Sequence, residues 1–155
     1  MVGPEPTDNR TMPRPVIVSA CRTAIGKFQG ALSPFSAPQL GGLAVGEALR
    51  RSGVPADQIE EVLMGNVLQA GLGQNPARQA QRAAGIPDAT AAVTINKVCG
   101  SGLKTVMLAA QAIKAGDLKV AVAGGMEAMS NVPFSVRGMR SGVKFGSQTM
   151  EDGLI

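Results

Sequence analysis

Apolar positions along the chain switch between short continuous runs and runs spaced three and four residues apart, which predicts alternating strands and helices. Residues 16–20, Val-Ile-Val-Ser-Ala, form a short β-rich run, followed by a loop punctuated by Gly and Pro as far as Pro34. Ser36-Ala37-Pro38-Gln39 offers a capping box with Pro in the first turn, and Leu40, Leu43, Ala44 and Ala48 recur at helical spacing until Gly53 closes the helix. Residues 55–61 suggest a short helical turn ahead of the apolar run 62–68. Asn75-Pro76 is a cap followed by proline at the first helical position; the helix it opens stops at Gly85, and Pro87 keeps it from resuming. Residues 90–95 read as the next strand. Leu103, Val106, Met107, Ala110 and Ile113 then share one helical face, with Lys104, Gln111 and Lys114 mostly opposite and Gly116 as the stop. Residues 119–124 supply one more strand. The order β-α-(α)-β-α-β-α-β favours an α/β class with a largely parallel sheet covered by helices. From Pro133 onward Gly, Ser, Arg and Met take over and the alternation stops.

The length of 155 residues fits one domain of ordinary size with a real core. No apolar run approaches the roughly twenty residues of a membrane span, so no membrane partner is expected. Residues 1–14 mix Glu5 and Asp8 with Pro and Asn. They lack a signal-peptide core and the acid-free, Arg-rich pattern of a transit peptide, and read as a disordered tail. Two cysteines without a secretory signal point to a reducing, cytoplasmic setting in which Cys21 and Cys99 are free thiols. The net charge of +4 comes from scattered Lys and Arg, the usual mark of a solvated surface, and it also suits a polyanionic small molecule. With no Tyr or Trp for base stacking, nucleic acid is not expected as a partner.

Cys99 stands where the extended run gives way to Gly100-Ser101-Gly102 and then to the helical pattern, so its sulfur should lie at a helix N-terminus. At such a place unpaired N–H groups and the positive end of the helix dipole favour thiolate over thiol, which makes a cysteine a nucleophile. Position alone leaves a second reading open, because cysteine is among the residue types most often buried in a core. Gly100 and Gly102 either leave the approach to the sulfur open or serve the helix start and its packing.

The segment Asn96-Lys97-Val98-Cys99-Gly100-Ser101-Gly102-Leu103-Lys104 closely resembles the nucleophile segment of the thiolase family, nearest to its biosynthetic acetyl-CoA C-acetyltransferase branch. Three further segments match in order. Val16-Ile17-Val18-Ser19-Ala20-Cys21-Arg22-Thr23-Ala24-Ile25-Gly26-Lys27-Phe28 resembles the first strand and following turn, and Gly65-Asn66-Val67 the next strand end. Ala123-Gly124-Gly125-Met126-Glu127-Ala128-Met129-Ser130 resembles the strand leading into the family's loop domain. Together they cover the chain from about Pro15 to its end.

The resemblance implies a thiolase-like N-terminal half-domain over residues 15–132, layered α/β/α around a mixed, mostly parallel sheet, with 133–155 as the beginning of a loop domain. It implies a reversible Claisen condensation of two acetyl-CoA to acetoacetyl-CoA and coenzyme A. Cys99 would be the nucleophile that holds the acetyl group as a thioester, and its backbone N–H one donor of the oxyanion hole. No metal and no cofactor is implied beyond the coenzyme A carried by the substrates, and a full-length member would be a homo-oligomer, dimer or tetramer. Residues that bind substrate are not identified by the match.

Other reactive-looking residues fit quieter roles. The family's second cysteine belongs to a Cys-x-Gly motif of the C-terminal half, so Cys21 is expected to be structural. Glu127 is expected to be an ordered carboxylate supporting the loop rather than a base. Lys97 either assists the nucleophile electrostatically or is simply solvated. Met126, Met129, Met139 and Met150 are expected to pack rather than to ligate. The departure from the family is that the chain contains no histidine. The resemblance places the activating histidine, the second cysteine and an Asn-Glu-Ala-Phe type segment in a half-domain that would follow the loop domain. The chain is therefore expected to be an N-terminal portion, inactive alone. The alternatives are a non-catalytic fragment of the same ancestry that binds coenzyme A or an oligomeric partner, and a 3-ketoacyl-CoA thiolase of broader chain length. A dinucleotide-binding module is disfavoured because no Gly-x-Gly-x-x-Gly follows a strand.

Overall fold

The computed structural model describes residues 13–155. Most of the tail expected over 1–14 therefore lies outside the described residues. Helix α1 runs over Ala37–Ser52 and starts as the sequence predicts: Ser36 Oγ accepts from the Gln39 N–H, the Gln39 side chain accepts from the Ser36 N–H, and Pro38 lies in the first turn. Gly53, at φ 68°, ends it in the left-handed region. A single 3-10 turn, Ala56–Gln58, leads to strand β1, Glu61–Gly65. Helix α2, Pro76–Ala83, is capped by the Asn75 side chain, and strand β2 spans Ala91–Ile95. Helix α3 covers Ser101–Ala115 and stops at Gly116, at φ 85°, before strand β3, Ala121–Gly125.

The three strands form one parallel sheet in the order β2-β1-β3, with Glu61 level with both Ala91 and Ala121. The central strand β1 is buried from Val62 to Gly65, as a parallel strand covered on both faces must be. Val62 and Met64 face a cluster built with Val45 of α1, Ala77 and Ala80 of α2, and Ile86 and Met126. Leu63 and Gly65 alternate to the other face, where α3 lies: a side chain on Gly65 would come within 2.6 Å of the Ser101 carbonyl carbon. The result is the layered α/β/α arrangement around a parallel sheet that the sequence led us to expect.

Three expectations need correction. Residues 16–20 form no ladder; Val16, Ile17 and Val18 are 66–78% exposed, and a cavity of about 480 Å³ separates the segment from β3 and α3. A continuous apolar run makes a strand only where both faces are covered, and among the described residues nothing covers the outer face here. The strand expected over 62–68 ends at Gly65, because Asn66, Val67 and Leu68 turn away to bond the Glu127 side chain. Of the four methionines expected to pack, Met126 does, whereas Met129, Met139 and Met150 are more than half exposed. Beyond Pro133 the chain is irregular apart from a two-residue antiparallel pair, β4 (Phe134–Ser135) with β5 (Glu151–Asp152).

Candidate active site

In an open parallel sheet, ligands collect beyond the carboxyl ends of the strands, where the loops of successive βα units converge. At that end β1 delivers Asn66, β2 delivers Asn96 to Cys99, and β3 delivers Glu127. Hydrogen bonds link the three loops. Glu127 accepts from Asn66 Nδ2 at 2.8 Å and from the Val67 and Leu68 N–H groups at 2.9 and 3.2 Å. Asn96 Nδ2 donates to the Val67 carbonyl at 3.3 Å. Glu127 thus has the supporting role read from the sequence, its oxygens occupied by donors of the neighbouring loop.

Cys99 is exposed and stands two residues before the first residue of α3. Cys21 is half-buried, with its thiol donating to the Ala44 carbonyl at 2.9 Å, and the structure does not bring it into the Cys99 turn. The turn from β2 into α3 is tight. Gly100 N–H donates to the Lys97 carbonyl at 3.0 Å and Ser101 N–H to the Val98 carbonyl at 3.1 Å, while the Cys99 N–H finds no acceptor among the described residues. The helix start carries no side-chain cap. The sulfur and an uncommitted N–H therefore stand together at an open helix end, the kind of place where positive potential gathers.

Close packing brings this end of α3 down onto the sheet. A Cβ on Gly125 would lie 3.1 Å from Gly102 Cα, and one on Gly65 would lie 2.7 Å from Gly102 N. Gly102 thus serves packing between helix and strands. Gly100, at φ −92°, has an ordinary backbone, and the nearest atom a Cβ there would meet is the Lys97 carbonyl oxygen, at 3.4 Å. Thr105, fully buried, fixes the next turn of α3 by directing its hydroxyl at the Gly102 and Gly124 carbonyls, 2.7 and 2.9 Å away.

Two residues of the turn carry weight that the sequence did not reveal. Val98 has φ 48°, a left-handed conformation that is an outlier for a β-branched residue and costs on the order of 1–3 kcal/mol. Ser101 is 4% exposed, and its hydroxyl accepts from the Lys97 N–H at 2.8 Å and donates to the Val98 carbonyl at 2.6 Å. Gly-Ser-Gly beside a candidate nucleophile invites a loop reading, and no local signal marks the serine as the clamp. Lys97 contributes its backbone to the turn through both its N–H and its carbonyl.

The site is a glycine-lined strand-to-helix turn that presents a thiol at the carboxyl edge of a parallel sheet. The family described as Thiolase, N-terminal domain matches residues 15–155, and the chain belongs to the thiolase family. It is 56% identical over 140 residues to an acetyl-CoA acetyltransferase of Cupriavidus necator, covering 90% of this chain and 36% of that protein. It is 54% identical over 146 residues to acetyl-CoA acetyltransferase B, mitochondrial, of Xenopus laevis, covering 94% of this chain and 34% of that protein. The crystal structure of Acat5 thiolase from Ascaris suum in complex with coenzyme A superposes with a TM-score of 0.84 at 47% identity, over 90% of this chain and 36% of that one. The chain spans about a third of the length of these relatives.

Proposed function

We propose that the chain is the N-terminal part of an acetyl-CoA C-acetyltransferase, with residues 15–132 as its nucleophile-bearing half-domain and 133–155 as the start of its loop domain. The observation that carries the reading is the exposed Cys99 thiol beside its own N–H, which has no acceptor among the described residues, in front of α3. The thiolate sulfur attacks the thioester carbonyl of acetyl-CoA, and the negative charge on the carbonyl oxygen is met by the Cys99 N–H. The carbon–sulfur bond to coenzyme A then breaks, the released thiolate takes up a proton, and the acetyl group remains on Cys99. A carbanion formed from a second acetyl-CoA displaces Cys99 and gives acetoacetyl-CoA. The step is reversible and calls for no cofactor beyond the coenzyme A of the substrates. In a full-length protein of this kind the reading includes a homo-oligomer, and two free thiols suit a cytoplasmic location.

Removing a proton from the second acetyl-CoA needs a base, and the chain contains no histidine. General acid–base help is typically worth about 10²–10⁴ in rate, and residues acting as a unit fail together. Residues 1–155 alone are therefore expected to accept one acetyl group without turning over. Intact mass after incubation with acetyl-CoA should show one added acetyl group, absent in Cys99→Ser. A full-length protein continuing this sequence should release coenzyme A and form acetoacetyl-CoA, and lose both on Cys99→Ser. Multiple turnovers from residues 1–155, or full-length activity surviving Cys99→Ser, would overturn the reading. The absence of histidine also favours a second reading, a fragment that binds coenzyme A without chemistry. Binding with no acetyl transfer, even in the full-length context, would select it.

A further inference from the structure

Val98 is 64% exposed, so packing does not hold its left-handed backbone; hydrogen bonds must. They reach both peptide groups that flank it. On one side Asn96 Oδ1 accepts the Val98 N–H at 3.0 Å. On the other, the Val98 carbonyl receives the Ser101 hydroxyl at 2.6 Å and the Ser101 N–H at 3.1 Å, while the same hydroxyl accepts from the Lys97 N–H. In a trans peptide the N–H points opposite to the C=O of the same unit. Fixing the Val98 carbonyl toward Ser101 therefore fixes the Cys99 N–H away from it, outward from the helix.

We propose that Ser101 is a positioning residue for Cys99: by gripping the Val98 carbonyl it holds Val98 left-handed and keeps the Cys99 N–H, beside the thiol of the same residue, turned outward in front of α3. It touches no reacting atom. The inference rests on Cys99 as the reacting thiol, but it does not depend on which acyl group that thiol receives. Ser101→Ala tests it cleanly, because alanine keeps the Cβ that packs against Gly65 and removes only the oxygen. Without that oxygen the Val98 carbonyl keeps only the longer bond from the Ser101 N–H, so the grip weakens and Val98 shifts toward the negative φ that a β-branched residue prefers, turning the Cys99 peptide with it.

The experiment measures alkylation of Cys99 and Cys21 by iodoacetamide at neutral pH in the full chain, resolved by peptide mass mapping. Ser101→Ala is expected to slow Cys99 by roughly tenfold, less than the roughly 10²-fold that a misplacement of about 1 Å can cost, and to leave Cys21 within about twofold. The second variant adds Val98→Asn, since asparagine tolerates the left-handed region. In the Ser101→Ala background it should return the Cys99 rate to within about threefold of the parent. A Cys99 rate unchanged by Ser101→Ala overturns the proposal, as does a loss that Val98→Asn fails to restore. Both cysteines accelerating together would also overturn it, by assigning Ser101 to global stability. Acetyl-CoA serves as a separate arm: brisk alkylation of the parent without acetylation removes the acetyltransferase reading and leaves the positioning role to be judged on the alkylation rates.

Discussion

One carboxylate, Glu127, satisfies the side chain of the buried Asn66 and two backbone N–H groups of the loop after β1. Removing an acceptor strands its donors, at about 1–3 kcal/mol for each one left buried. Glu127→Ala should therefore lower the unfolding free energy by an amount in that range, read as a lower urea midpoint at an unchanged denaturant slope, and Glu127→Gln, which keeps one acceptor oxygen, should lower it less. An equal loss in both variants would show that the side chain matters for bulk and not for accepting hydrogen bonds. This supporting role was legible in the sequence because Glu127 follows the Gly124-Gly125 strand end, where a neighbouring loop can present backbone N–H groups to it. Val98 was not: nothing about a valine announces positive φ, and the clamp that enforces it involves Ser101 three positions on.

Among the elements, the approach of α3 to β1 is the tightest constraint. A Cβ on Gly65 would meet backbone atoms of Ser101 and Gly102, which have no rotamer to yield, so Gly65→Ala should destabilise by about 1–3 kcal/mol. Gly46, within α1, has only the Ala84 Cα at 3.9 Å, and Gly46→Ala should stabilise by roughly 0.5–1 kcal/mol through helix propensity. Thermal melts of the two variants, shifting in opposite directions, would bear this out. The last turns of α1 also carry a pH signature. Hydrogen bonds from Arg50 and Arg51 pull the Glu47 carboxyl from its ordinary 4.5 to about 2. A depressed folded value means the support is present above the unfolded value and lost as pH falls from about 4.5 to 2. Glu47→Gln should differ slightly from the parent at neutral pH and converge with it by pH 2, with salt shrinking the gap because the pair is exposed. Helix ends were readable in advance because caps are local: Ser36 with Gln39, Asn75 before Pro76, Gly53 and Gly116 each act within a turn. Strand order was not, because pairing β1 between β2 and β3 depends on contacts far apart in sequence.

At the scale of the whole molecule, Val16, Ile17, Val18, Leu103 and Met107 are exposed apolar side chains on an α/β unit whose segment 16–20 lacks a ladder. Large exposed apolar surface drives association, so residues 1–155 should self-associate, with a gel-filtration elution volume that depends on loading concentration. A concentration-independent monomer with a sharp calorimetric transition would argue against it. The run 16–20 was misread as a strand because a sequence shows how apolar a segment is but not whether a second layer exists to cover it. The central position of β1 has a consequence in time. Glu61 pairs with Ala91, thirty positions on, and with Ala121, sixty positions on. Chains grow at about 5–20 residues per second, so β3 follows β2 from the ribosome by roughly two to six seconds. During that interval β1 and β2 can already be joined through α2, while Cys99 has emerged without the strand against which α3 settles. The turn that carries the thiol thus waits seconds on the nascent chain before the strand beneath α3 arrives to set its geometry, so the thiol is accessible before it is positioned.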